Sequence, residues 1–213
     1  MEEKDMAAHK EAGRAQKAAT QEAAMPAATS PEAGLDGKVV LSHETDALIR
    51  KRVYAAVALG LIPVPLVDLV GLTALQVELV RALSKQYDVP FSTNKARNVI
   101  ASLLGGIAPI AVAPLALSAA KAIPVVGWSL AGAGLPILFG AGTYAVGHVI
   151  ARCFEGGETL VSIDTGKLKD FVKTSYAEGR EYASVLVKKA RGRSREELKA
   201  AVDEAMPESG QPS

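Results

Sequence analysis

From Asn98 to Ala151 the chain carries a single charged side chain, Lys121; residues 98–120 and 122–151 hold no Asp, Glu, Lys or Arg. Each stretch reaches the ~18–20 apolar residues that a helix needs to cross a bilayer. Joined through Lys121-Ala122-Ile123-Pro124, they predict a membrane-embedded helical hairpin over 98–151. Gly105, Gly106, Pro109 and Pro114 interrupt the first arm, and Gly132, Gly134 and Pro136 the second. Lipid tolerates such breakers, because neighbouring helices re-satisfy the freed backbone groups. Segments that enter and return through one leaflet fit the same pattern.

Either side of this hairpin the pattern becomes amphipathic. A helix is predicted from Ser42, an N-cap followed by Glu44 and Asp46 in the favourable first turn, to the residue before Pro63. A second starts at Pro65 and runs to Tyr87, with Leu69, Leu72, Leu79, Leu83 and Tyr87 on one stripe and Glu78, Arg81 and Lys85 opposite. Asp88-Val89-Pro90 closes it. A last helix over Lys167–Lys189 places Leu168, Phe171, Ser175, Gly179, Tyr182 and Leu186 on a common face, where Gly179 implies close backbone contact.

The ends read differently. Residues 1–37 are rich in Ala, Glu, Lys and Gln, a composition that cannot offset its own conformational entropy, so a disordered tail is expected. Residues 38–190 read as one helical domain and 191–213 as a flexible, charged tail. The fold class is all-α: a membrane hairpin flanked by amphipathic cytoplasmic helices.

Composition sharpens this. The chain is 49% hydrophobic but only 5% aromatic, which suits small-residue helices approaching closely in lipid. The same hydrophobic share lies within globular norms. A soluble all-α interaction domain, with the apolar segments as buried core, is therefore the alternative. A net charge of +1 supplies no field for nucleic acid. Cys153 is the single cysteine, so no internal disulfide forms; a small buried hydrophobe is its expected role. The start, Met1-Glu2-Glu3-Lys4-Asp5, has no apolar region of a secretory signal.

Basic residues set the expected orientation. Arg50, Lys51, Arg52, Lys95 and Arg97 precede the hairpin, Arg152, Lys167 and Lys169 follow it, and the turn offers Lys121. This places both termini in the cytoplasm of a bacterial inner membrane, with the Lys121 turn on the far side. Trp128 and Tyr144 stand towards opposite ends of the second arm, as interfacial aromatics do.

Candidate chemistry is sparse. Thr165-Gly166-Lys167 is followed by Leu168 and lacks the leading glycine of a P-loop. None of His9, His43 and His148 has a second ligand at helical spacing, so no metal is expected; His148 reads as a polar group reaching headgroup or solvent. The arms carry no charge to mark an ion pathway. No catalytic residues and no cofactor are assigned, and a non-enzymatic protein is expected. Two polar residues remain. Gln76 interrupts the leucine stripe, either as an interhelix hydrogen bond or as a partner contact. Asp68 stands in the first turn after Pro65, either as a response to the helix dipole or as a second partner contact. Gly132, Gly134, Gly140, Gly142 and Gly147 offer a small-residue packing surface.

Several of these residues form ordered motifs. Ile62-Pro63-Val64-Pro65-Leu66-Val67-Asp68 is followed by Leu72-Thr73-Ala74-Leu75-Gln76, then Lys121-Ala122-Ile123-Pro124-Val125-Val126-Gly127, Tyr144-Ala145-Val146-Gly147, Phe154-Glu155-Gly156-Gly157 and Tyr176-Ala177-Glu178-Gly179-Arg180. Over residues 45–190 the chain resembles the bacterial domain-of-unknown-function family numbered 697. The resemblance implies a helical, membrane-associated protein, sometimes linked to P-loop GTPases, with no catalytic residues to transfer. Pro63, Pro65, Pro124, Gly127, Gly147 and Gly179 become structural motif positions. The expected partners are the bilayer and a cytoplasmic P-loop GTPase, with association of the chain with itself left open.

Overall fold

The computed structural model describes residues 41–62, 67–120 and 127–206, the side chains of 67–69, 111–120 and 127–133 excepted. The tail over 1–37, Pro63, Pro65, Pro124 and the Lys121 turn lie outside the described residues, as do the side chains of Asp68 and Trp128. Six helices are described: α1 (His43–Leu61), α2 (Val67–Gln86), α3 (Thr93–Ala120), α4 (Gly127–Glu155), α5 (Lys169–Ala190) and α6 (Arg195–Ala205). No strand occurs among the described residues, in keeping with the all-α expectation.

Local signals set several boundaries as expected. The Ser42 hydroxyl accepts from the Thr45 backbone N–H at 3.2 Å, and α1 stops at Leu61. Beyond α2, Asp88 adopts a left-handed conformation (φ 53°), and the Val89 N–H bonds back to the Ser84 carbonyl at 2.8 Å. Helices α3 and α4 run through Pro109 and Pro136 without ending.

Helix α4 forms the centre, packing against α1, α2, α3 and α5, while α6 lies on α1. Helix α1 is consequently buried from Arg52 to Leu59 except at half-buried Tyr54. Four helices contribute Ala55, Leu59, Leu75, Phe139 and Val187 to the core, and α6 adds Leu198, Val202 and Ala205.

Three expectations change. The stretch from Arg191, read as a flexible tail, contains α6. Its charged composition hides a complete capping box: Ser194 Oγ accepts from the Glu197 N–H at 3.2 Å, and Glu197 Oε2 from the Ser194 N–H at 2.8 Å. Leu198, Val202 and Ala205 then present a narrow apolar stripe to α1. The buried face of α5 keeps Ser175 and Gly179 of the expected stripe but is otherwise rotated, onto Val172, Tyr176, Ala183, Val187 and Ala190. Closest packing selects glycine and alanine there, whereas the wheel follows the larger side chains. Finally, Glu78, expected on the solvent face of α2, is buried, because α2 has neighbours on α1, α3 and α4.

The expected pair of membrane spans is met only in part. Among the described residues one segment, Gly134–Glu155, is long and apolar enough to cross a membrane, and 67% of its apolar window is buried inside the protein.

Hydrogen bonds tie the helix ends together away from the α3–α4 turn. Thr45 Oγ1, fully buried, lies 3.0 Å from Tyr87 Oη and 2.9 Å from Ser42 Oγ, and accepts from Gln86 Nε2 at 2.8 Å. Tyr87 Oη donates to Glu155 Oε1 at 3.0 Å, and its ring meets Phe154 edge-on. Burial raises the Tyr87 pKa, so the phenol stays protonated as this donor. Thr45→Val keeps the shape but removes the hub, and is expected to cost about 1 kcal/mol in a urea titration, since its half-buried partners Gln86 and Tyr87 each lose a hydrogen bond.

Candidate functional site

Small residues on α4 fix its neighbours along the bundle axis. A Cβ at Gly147 would lie 3.0 Å from Ile49, one at Gly140 2.6 Å from Val57 Cγ2 and 2.8 Å from Ala183 Cβ, and one at Gly60 2.7 Å from Pro136 Cα. Helix α1 therefore runs antiparallel to α4. So does α5, where a Cβ at Gly179 would meet Tyr144 Cβ at 2.8 Å and the Ala141 carbonyl at 3.0 Å. Helix α2 is parallel to α4: Gln76 faces Gly142, and Leu79 faces Gly147. Leu104 of α3 also faces Gly142. At Gly140, Gly142 and Gly147 the small-residue surface of α4 is thus occupied by helices of the same chain.

This register gives the bundle two unlike ends. At one stand Thr45, Tyr87 and Glu155. Towards the other, α1 finishes beside Pro136, and large apolar side chains on four helices are turned outward: Val70 (72% exposed), Ile110 (43%), Leu135 (38%) and Val185 (61%); at the first end Val161, past Glu155, is exposed as well. Ala101, Gly105, Ala108 and Pro109 are exposed along α3 below Ile110, and a Cβ at Gly105 or Gly106 would meet nothing within 4 Å. Both α3 and α4 continue beyond this end towards the turn that joins them. Hydropathy alone marks this stretch as apolar; which faces remain uncovered depends on the packing and could not be read from it.

The polar residues chosen from sequence fall elsewhere. Gln76 is 2% exposed, inside the α2–α4 contact, and its Nε2 has no hydrogen-bond partner. Asp68 lies in the first turn of α2, well separated from Gln76 along the same helix. Since the Gln76 amide donates nothing at Nε2, Gln76→Leu is expected to shift stability by no more than about 1 kcal/mol in either direction. Thermal unfolding in detergent measures this; a loss several times larger would reveal a polar partner for the amide.

Other groups are likewise structural. His148 does not reach headgroup or solvent with a free ring: it stacks on Tyr144 at 4.0 Å, and its Nε2 is buried. Tyr144, expected at a membrane interface, packs between α4 and α5, 6.0 Å from Tyr182. The Arg50 guanidinium lies 5.1 Å over Tyr182, and its Nε donates to Asp46 Oδ2 at 2.6 Å, which raises the arginine pKa. Cys153 is buried, as a small hydrophobe would be. Buried Arg52 is pushed below the usual arginine value by desolvation, against which the charge of Glu78 acts; Glu78 also pairs with Arg81 at 3.3 Å.

Around Thr165-Gly166-Lys167 the chain makes a turn, with the Gly166 N–H bonded to Asp164 Oδ1 at 2.9 Å. A cleft of about 70 Å³ beside it is lined by Ser102, Gly106, Thr165 and Lys169, far below the ~300–1,000 Å³ of small-molecule sites. No cluster of three metal-ligating side chains exists among the described residues.

Magnetosome membrane protein 22 of Magnetospirillum gryphiswaldense is 35% identical over 158 residues, covering 74% of this chain and 77% of its own. No solved structure matches. The family model described as Domain of unknown function (DUF697) matches residues 39–181, a region that includes α1 to α4 and the first half of α5. The chain belongs to the DUF697 family.

Proposed function

We propose that this protein is a non-enzymatic membrane anchor whose helical bundle serves as an interaction platform. The end bearing Val70, Ile110 and Leu135 faces the bilayer, and the outer parts of α3 and α4 enter it as a hairpin. The opposite end, with Thr45, Tyr87 and Glu155, stands in the cytoplasm, as do both termini, at a bacterial inner membrane. One observation carries this reading: outward apolar side chains on four separate helices stand at the end where α3 and α4 run on, against Val161 past Glu155 at the other. A ring of exposed apolar side chains at one level of a helical bundle fits a membrane or interaction surface. The relative's name, which calls it a membrane protein, agrees with it.

The platform's partner is a cytoplasmic P-loop GTPase, the class that the family resemblance implies. Pull-downs in GTP, GDP and nucleotide-free buffer test that part, and recovery of no such protein removes it. A soluble bundle has its own support, since most of the Gly134–Glu155 window is buried. Alkaline carbonate extraction of native membranes separates the two. The anchor stays in the pellet until detergent is added, whereas a carbonate-soluble, detergent-independent monomer establishes the soluble bundle.

A further inference from the structure

Positive charge is concentrated where α5 gives way to α6. Lys188, Lys189, Arg191, Arg193 and Arg195 supply five cations in eight residues, and all five are exposed. Of the acidic residues that follow, Glu197 is held by the capping box and by Arg193, 3.5 Å away. Glu196 is exposed in the first turn of α6, so a clear positive excess remains over 188–197.

The register locates this charge. Ala183 meets Gly140, and α5 runs antiparallel to α4, so Lys188 and the residues after it stand level with Leu135 and Pro136. That is the end carrying Val70, Ile110 and Leu135. Helix α6 then returns along α1, with Lys51 Nζ 2.8 Å from Glu204 Oε1, which leaves the basic turn as the point nearest the hairpin. Cations flanking an apolar insertion lie at headgroup depth, where they are attracted to anionic lipid.

We propose that Lys188, Lys189, Arg191 and Arg195 form a contact surface for anionic phospholipid headgroups. This rests on the membrane-anchor reading and adds a lipid preference to it. The test is co-flotation of the full-length chain with vesicles of phosphatidylcholine alone or of phosphatidylcholine mixed with phosphatidylglycerol. Wild-type protein should favour the anionic vesicles, with a preference that fades as salt rises. The variant K188Q/K189Q/R191Q/R195Q should lose roughly tenfold or more of its affinity for anionic vesicles while binding neutral ones as before. The variant K95Q/R97Q/K167Q/K169Q, which removes four exposed cations at the opposite end, should keep the preference and controls for total charge. Equal wild-type binding to both vesicles, or a preference that survives in the first variant, overturns the lipid contact and leaves the anchor standing. Failure to float with either vesicle overturns both.

Discussion

Gly60→Ala is expected to lower the thermal midpoint of the purified protein by roughly 4–8 °C, although alanine is the better helix former. The added methyl would sit 2.7 Å from Pro136 Cα and 2.9 Å from its nitrogen, so only a backbone shift between α1 and α4 can admit it. Overpacking typically costs about 1–3 kcal/mol. The propensity gain of roughly 1 kcal/mol offsets part of an upper-end cost, and for a domain of this size 1 kcal/mol moves the midpoint by about 2–4 °C. Gly105→Ala provides the control. That position has nothing within 4 Å of a new Cβ, so it should gain about 0.5–1 kcal/mol. Circular dichroism melts of both variants in one detergent decide the matter. Equal effects would mean that α1 and α4 are not in contact at Gly60.

Ile110→Arg combined with Leu135→Arg should release the protein from membranes without unfolding it. Both side chains face outward, 43% and 38% exposed, and surface substitutions usually change stability by no more than about 0.5 kcal/mol. Each arginine placed at full depth in the bilayer would cost about 2.5–3.5 kcal/mol on the insertion scale, less nearer the headgroups. Membrane and soluble fractions, quantified beside a melt of the purified variant, give the two readouts. A variant that stays in the carbonate-resistant pellet contradicts the assignment of this end to the bilayer. One that unfolds shows these side chains to be buried.

Much of the helical framework was legible because its signals are local. Ser42 caps α1 through the nearby Thr45 N–H, Pro63 follows the end of that helix, and the left-handed Asp88 stops α2. The close contact at Gly179 was also readable, since a glycine on an otherwise regular helical face has few other uses. Positions whose role depends on distant neighbours were not. Glu78 belongs to a polar stripe on the wheel, yet its helix has companions on three sides. His148 and Tyr144 fall towards the end of an apolar run, but stack within the bundle. The short α6 was masked by its charge, with a buried stripe of Leu198, Val202 and Ala205 too narrow to dominate the local composition. The candidate surface at Val70, Ile110, Leu135 and Val185 needed the register of four helices before its members could be placed at one level.

The burial of the second half of α1 bears on how the protein is made. Val57 packs at Gly140, Gly60 at Pro136, and Lys51 at Glu204, 153 residues away. At about 5–20 residues per second, the ribosome delivers these companions only after several seconds, with α6 the last to arrive. Over that interval the apolar second half of α1 stands complete and uncovered in the nascent chain. Sequence-distant contacts of this kind also slow folding, because loop closure comes before the reward of burial. Synthesis thus creates a dependence on something that shields α1 early, whether a chaperone or the insertion of the following apolar segments as they emerge, and output in cells should be limited by that handover more than by the stability of the finished bundle.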